Sequence, residues 1–318
     1  MLNFLPTPIV TTIATLLLLI NVLFWCPILL VFAFIKVLIP IKALRVMIDP
    51  LLIKIAEGWI LCNSGWMKLT QNTKWDVQGL GDLKYKGWYL VNANHQSWVD
   101  ILVLQHVFNG KIPLLKFFLK QELIKVPLLG LCWWALDFPF MKRFSKEYLE
   151  KHPEMKGKDL DTTRKACEKF SAIPTSVMNF LEGTRFTQAK YDKQKPPYRY
   201  LLKPKAGGIA FAINAMGDKF NSLLNITIVY PDGIPSFSDF LSGKVKHVIV
   251  RVQEEPIPAD FSSKDYNNDP EFRQEFQQWT HQLWLEKDEL IHQLLDDKPH
   301  QPLHKQDKLI QEHQHEGL

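Results

Sequence analysis

Hydrophobic residues are arranged along this chain in three ways, and each predicts a different element. From Ile9 to Ile35 they are nearly continuous, interrupted only by Thr11, Thr12, Thr15, Asn21 and Pro27. Further on they form short runs at 88–93, 175–181, 223–230 and 245–252, the last two rich in β-branched residues. Runs of that length bounded by turn residues read as buried strands. Residues 75–78 are a shorter strand candidate, followed by a turn at Gly79-Leu80-Gly81-Asp82. Between the strands lie segments with helical character at 49–68, 101–108, 161–170 and 209–216, the last opened by Gly207-Gly208. A final helix is expected over 270–295, where Phe272, Phe276, Trp279 and Leu283 recur at helical spacing on a core-packing face. Period does not separate strand from helix at 112–118, and 151–158 reads as a polar loop. Strands alternating with helices predict an α/β domain over 46–295, a mixed central sheet flanked by helices.

The start of the chain departs from this pattern. Residues 1–35 carry no charged side chain, and the apolar stretch exceeds the roughly 20 residues that cross a bilayer. A soluble core helix of that length would show a polar face. A cleaved signal peptide would want a basic start, a shorter apolar stretch and a small-residue cleavage site. The chain instead begins Met1-Leu2-Asn3-Phe4 and stays bulky into the forties. Residues 1–45 are therefore expected to be a retained, membrane-embedded helical anchor, either one span or a re-entrant hairpin. Pro27 could kink one long helix or separate two short ones. Lys36, Lys42 and Arg45 follow with no acid before Asp49, which for a single span places the body on the cytoplasmic side, as does a hairpin whose uncharged terminus stays there; a bacterial cytoplasmic (inner) membrane is the expected location. Residues 126–140, with Trp133, Trp134 and Phe138, are too short for a comfortable span. They either pack in the core or line an apolar groove or membrane-facing surface, and one element can do both. Beyond Asp296 the tail is polar, with His300, His304, His313 and His315, and is expected to be disordered rather than metal-binding.

Charge and cysteine content narrow the classes. The net charge of +5 admits an anionic membrane, an anionic substrate or nucleic acid as partner, and the anchor favours the first two over nucleic acid. Cys26, Cys62, Cys132 and Cys167 are scattered, with no Cys-x-x-Cys. They make neither a disulfide framework nor a zinc site. No Gly-x-Ser-x-Gly elbow, Walker loop, Gly-x-Gly-x-x-Gly or His-Glu-x-x-His is present.

What remains is a histidine with an acid. His95 and Asp100 follow the run at 88–93, a placement that suits a general base and its orienter. In a straight helix, positions five apart point about 140° away from each other. The two can meet only if the backbone around Gln96 to Trp98 is not helical. With no recognised nucleophile nearby, His95 would act on a substrate hydroxyl directly, and Ser97 reads as a cap. Glu182-Gly183-Thr184-Arg185 follows the run at 175–181. Gly183 allows a close turn, Arg185 offers a fork suited to phosphate, and Glu182 could hold that arginine or a substrate hydroxyl. Read alone, it could equally be a surface turn with a salt bridge. Lys142 and Arg143 end the apolar run 126–140, and Lys120 and Lys125 precede it. They suit an anionic headgroup or are snorkelling cations. Arg185, Lys190, Lys193, Lys195, Arg199, Lys203 and Lys205 form a basic strip against Asp192 alone. It is either a solvated loop or a landing site for phosphates.

The order of these segments, Asn-His-x-x-x-x-Asp, an apolar run ending Phe-x-x-Arg, then Glu-Gly-Thr-Arg, resembles the glycerolipid acyltransferase family, over roughly residues 75–230. The resemblance implies that His95 and Asp100 are catalytic base and orienter. It implies that Phe140, Arg143, Lys120, Glu182, Gly183, Thr184 and Arg185 bind the acceptor. The expected reaction moves a fatty acyl group from acyl-CoA or acyl carrier protein to a lysophospholipid, 1-acyl-sn-glycerol-3-phosphate first, with no metal and no cofactor. Leu181 stands where the family usually has proline, and the strand at 223–230 has no proline before Pro231. With Tyr200-Leu201-Leu202-Lys203-Pro204-Lys205, these features resemble the branch that includes lysocardiolipin acyltransferases, so lysocardiolipin and lysophosphatidylglycerol are alternative acceptors. A non-catalytic lipid-binding protein, and a hydrolase using the same base on water, are the other readings.

Overall fold

The uncharged start folds as one helix. α1 (Thr7–Leu38) runs through Pro27 without dividing. The chain then reverses into α2 (Lys42–Thr70), and the pair lies antiparallel. Asn21 Nδ2 donates to Asn63 Oδ1 at 2.8 Å and to the Trp59 carbonyl at 3.0 Å, Trp25 Nε1 meets Cys62 Sγ at 3.4 Å, and Lys36 pairs with Asp49 near the turn. A Cβ at Gly58 would come within 2.6 Å of the Trp25 ring, so glycine permits this contact. Among the described residues α1 is the helix long and apolar enough to cross a membrane. Leu19, Ile20, Leu23, Phe24 and Phe34 are exposed on it, whereas Ala14, Cys26, Leu29 and Ala33 turn into the same core as the sheet. The apolar start is thus an anchor candidate and a packed part of the domain at once.

The computed structural model describes residues 2, 4–39, 41–141, 151–152, 173–216, 219–266 and 268–296, without the side chains of 42–46 and 141. Arg143 and Lys142, Cys167, the helix expected at 161–170, most of the loop at 151–158 and the histidine-bearing tail lie outside the described residues. After α2 come β1 (Lys74–Gln78), β2 (Tyr89–Ala93), α3 (Val99–Phe108), β3 (Leu115–Phe117), β4 (Leu119–Lys120), α4 (Leu129–Ala135), β5 (Phe140–Met141) and β6 (Ser176–Phe180). They are followed by α5 (Gln188–Gln194), α6 (Gly207–Met216), β7 (Ser222–Val229), α7 (Phe237–Leu241), β8 (His247–Glu255) and α8 (Pro270–Asp296). The segment at 112–118 that period could not assign contains β3.

Six strands make one sheet in the order β1-β8-β7-β2-β6-β3. β7 and β8 are antiparallel and the other pairs parallel, so the sheet is mixed. Side chains alternate between two cores, as a pleated strand requires. Tyr89, Val91 and Ala93 of β2 face the core that holds α1, α2 and α3, and Leu90 faces α6 and α8. α8 buries Phe272, Phe276, Leu283 and Trp284, the packing role expected of it. It also buries Lys287, which apolar periodicity does not foresee.

Register decides where the chemistry can assemble. Ala93 lies opposite Phe180 of β6 and Ile226 of β7, and Phe117 of β3 lies opposite Met178. Four parallel strands therefore end at one edge of the sheet, the edge where open α/β sheets bind ligands. The segments after β2 and β6 emerge side by side because their strands are in register.

Candidate active site

His95 leaves β2 two residues after its last paired position, in a stretch without regular structure that gives way to α3 at Val99. This non-helical bend brings His95 Nδ1 to 2.9 Å from Asp100 Oδ2. The same oxygen accepts the Gln96 and Ser97 backbone N–H groups at 2.7 and 2.9 Å, and Oδ1 accepts the Tyr230 hydroxyl at 2.6 Å. An acid with this many donors sits at the start of α3, where the helix dipole also favours it. Asn94 pins the loop to β7, donating to the Ile228 carbonyl at 2.8 Å and accepting its N–H at 2.9 Å. Ser97 Oγ donates to the Pro235 carbonyl at 2.6 Å and accepts the Val99 N–H at 3.2 Å, so it ties the loop down; the expectation that it caps the helix is corrected, since the N-cap of α3 is Trp98 and no side chain caps it. The imidazole stacks on Phe180 with centroids 3.8 Å apart. A carboxylate at Nδ1 fixes the proton there, which leaves Nε2 as the acceptor. Burial, and then the Asp100 charge, push the Tyr230 hydroxyl well above its ordinary pKa, so Tyr230 stays a donor.

The segment after β6 divides its residues between inside and outside. Gly183 adopts φ +67° and donates its N–H to the Phe180 carbonyl at 2.8 Å, making the tight turn for which glycine is suited. Ahead of the turn, Glu182 points inward and is 1 % exposed. Its Oε1 accepts the His95 backbone N–H at 3.1 Å and Oε2 the Leu202 N–H at 3.3 Å. The expectation that Glu182 holds Arg185 or a substrate hydroxyl is therefore corrected: both its oxygens are engaged by backbone. Burial raises its pKa to about 8, against the two N–H donors that lower it. Beyond the turn Arg185 points outward, its guanidinium 4.5 Å above the Trp98 ring. Lys190, from the basic strip, donates to Thr184 Oγ1 at 2.7 Å and to the Arg185 carbonyl at 2.8 Å, so it braces the turn.

These groups open on a cavity of about 490 Å³. His95, Lys120, Gly183, Thr184 and Arg185 line it, together with Trp59, Trp98, Ile101, Leu102, Phe117, Leu123, Trp133, Phe138 and Phe180. Lys120 is on β4, paired with β5 in a two-stranded piece that sets Leu119 opposite Phe140. Phe140 itself does not line the cavity, and Phe138, two residues earlier, does. Beside the cavity a narrower apolar crevice of about 40 Å³ runs between α1, α2 and α4, bounded by Cys26, Leu29, Leu129 and Leu136 and sharing Trp59, Trp133 and Phe138 with it. The apolar run at 126–140 thus serves core and groove together. A base, flanking cations and an apolar recess suit an amphiphile with a hydroxyl near an anionic group.

Residues 74–231 match the family model named Acyltransferase. That stretch belongs to the acyltransferase family. Among curated relatives, 1-acyl-sn-glycerol-3-phosphate acyltransferase gamma of Mus musculus is 27% identical over 241 residues, 71% of this chain and 58% of the relative. Lysocardiolipin acyltransferase 1 of Mus musculus is 26% identical over 220 residues, 64% of this chain and 53% of that protein. The chain spans a little over half the length of these relatives. Among solved structures, the 1-acyl-sn-glycerophosphate acyltransferase of Thermotoga maritima has the same fold, with TM-score 0.54, 16% identity, 93% of this chain covered and 100% of that one.

Three residues of the site escape sequence reasoning. Tyr230 is visible only as the end of a strand, and its partner Asp100 is 130 positions away. Asn94, beside the histidine, carries no signal that its side chain belongs to β7. Trp98, named in the sequence only as the end of the bend, is 48 % exposed beneath Arg185.

Proposed function

We propose that this chain is a membrane-associated O-acyltransferase that moves a fatty acyl group from acyl-CoA or acyl carrier protein to the free hydroxyl of a lysophospholipid, 1-acyl-sn-glycerol-3-phosphate first among them. The observation that carries this reading is the His95–Asp100 pair on the wall of a cavity that also presents Lys120 and Arg185. His95 Nε2 takes the hydroxyl proton as the oxygen attacks the thioester carbonyl. The tetrahedral intermediate then breaks its carbon–sulfur bond, and the departing thiolate takes the proton back from the imidazolium. Asp100 holds the tautomer and supports the transient positive charge. Arg185 and Lys120 hold the acceptor phosphate, with Arg143 following β5 as a further cation. Thr184 and Gly183 shape the turn that faces it, Glu182 supports that turn from inside, and Phe140 braces β4. The apolar recess receives acyl chain. The reaction needs no metal and no prosthetic group.

Membrane association rests on α1 and its exposed apolar side. The basic residues that follow it favour a cytoplasmic active site. The test supplies membranes containing the protein with labelled acyl-CoA and a panel of lysophosphatidic acid, lysophosphatidylglycerol and lysocardiolipin, and identifies products by mass. A new diacyl lipid from lysophosphatidic acid is expected. Free fatty acid without a new acyl ester would replace the reading with a hydrolase, and lipid binding without turnover would replace it with a binding protein.

A further inference from the structure

The segment that carries His95 also holds Arg185, at its backbone and at its far end. The Phe186 N–H donates to the His95 carbonyl at 2.7 Å, and the His95 N–H donates to Glu182 Oε1 at 3.1 Å. The turn that holds Arg185 is thus bonded to both backbone groups of His95. Lys190 takes up the Thr184 hydroxyl and the Arg185 carbonyl. None of these contacts reaches the guanidinium. Its carbon lies 4.5 Å from the centroid of the Trp98 ring, and both residues line the cavity. Trp98 is the N-cap residue of α3. Its neighbour Ser97 is held by Asp100 Oδ2 and by the Pro235 carbonyl, so the ring stands on the loop that orients the imidazole. The indole is exposed, and core packing alone does not account for it. Among the described residues no carboxylate lines the cavity, and none pairs with Arg185.

We propose that Trp98 is a positioning residue for acceptor binding: its ring holds the Arg185 guanidinium at the cavity beside His95, ready for the phosphate of the lysophospholipid. Arginine has a long side chain with many rotamers, and ordering them at the moment of binding weakens affinity. A ring face that attracts the cation restricts them before the acceptor arrives. A carboxylate would hold the cation too, but it would occupy the N–H groups that a phosphate needs. An aromatic face leaves the N–H groups at the rim of the planar guanidinium free. One short segment then carries both the base and the platform for the phosphate-binding cation. The spacing between reacting hydroxyl and phosphate is set by that segment and by the turn bonded to it.

This inference rests on the acyltransferase reading, and binding is measured apart from turnover so that the two can fail separately. Wild type, Trp98→Phe, Trp98→Leu, Arg185→Ala and the Trp98→Leu/Arg185→Ala double variant are purified at full length, with melting curves for each. Acyl transfer from acyl-CoA to lysophosphatidic acid gives both KM values, and equilibrium binding of labelled lysophosphatidic acid gives its Kd. Trp98→Leu should raise the acceptor KM and Kd about two- to fivefold, the size of an exposed cation–π contact, with the KM for acyl-CoA nearly unchanged. Trp98→Phe should fall between wild type and Trp98→Leu, because a phenyl face attracts a cation less than indole does. In the Arg185→Ala background the Trp98→Leu change should alter the acceptor Kd less than about 1.5-fold, because the cation it serves is gone. An equal effect in both backgrounds, a Trp98→Phe protein as weak as Trp98→Leu, or an equal rise in the KM for acyl-CoA overturns the proposal and leaves Trp98 a wall of the cavity. If Trp98→Leu does not fold, Trp98→Met carries the same prediction. If that also fails to fold, fluorinated tryptophan incorporated throughout the chain weakens the ring faces with little change of shape. The acceptor Kd should then rise in the protein with Arg185 and not in Arg185→Ala, and the same ratio in both overturns the proposal. A wild type that binds lysophosphatidic acid but forms no diacyl product would refute the acyltransferase reading, and the binding comparison would still decide the role of Trp98. No binding by wild type overturns both.

Discussion

Asp100 and Glu182 are two carboxylates at nearly the same depth behind one cavity, 0 % and 1 % exposed, and they are treated differently. Asp100 is bonded by the imidazole, two backbone N–H groups and the Tyr230 hydroxyl. Glu182 receives two backbone N–H groups, and burial still pushes its pKa to about 8. A hydrogen bond to a charged group contributes about 1.5–3 kcal/mol, and stripping water from an unpaired ion costs several. Two donors leave Glu182 with a deficit. The pair shows a division of labour: one acid addresses the reactive ring, and the other addresses the backbone that carries it.

The largest effect expected from this contrast is at Asp100. Asp100→Asn should keep the fold and lower kcat by about 10²–10⁴-fold, because the amide no longer imposes the tautomer with Nε2 free. Glu182→Gln should cost clearly less in kcat in the same steady-state assay. Equal losses would erase the distinction between the two acids. Next comes the outward side of the second turn. Arg185→Ala should raise the KM for lysophosphatidic acid by about 10–100-fold, the range of one charge-assisted contact, with little change in the KM for acyl-CoA. An equal rise for both substrates would remove the phosphate role. The smallest effect belongs to Tyr230. Tyr230→Phe leaves Asp100 three donors, so chemical denaturation should report about 1.5–3 kcal/mol less stability and kcat should fall less than about tenfold. A loss as large as that of Asp100→Asn would make Tyr230 part of the chemistry.

Much of this arrangement is legible in the chain itself. β2, β6, β7 and β8 are visible because each is a short apolar run closed by polar or turn residues. The bend at Gln96 to Trp98 follows from the impossibility of joining His95 to Asp100 on a helix. The second turn is legible as a motif but not in its orientation. Nothing in Glu-Gly-Thr-Arg says that the acid turns inward while the arginine stacks on Trp98, since this depends on the register between β2 and β6. Long-range partners are the least legible. Tyr230 meets Asp100 across 130 residues, and Lys287 meets β7 across 61, through side chains whose local surroundings read as strand end and amphipathic helix. The antiparallel return of α1 onto α2 was likewise open, because apolar length alone does not reveal that Asn21 has Asn63 as its partner.

The account rests on His95 as the base that activates the acceptor hydroxyl. Its most direct test compares purified wild type and His95→Ala in one assay with lysophosphatidic acid and labelled acyl-CoA, following the labelled diacyl product by mass. The rate should fall by about 10²–10⁴-fold in a variant that melts like wild type. A folded His95→Ala protein that transfers acyl groups at close to the wild-type rate would contradict it.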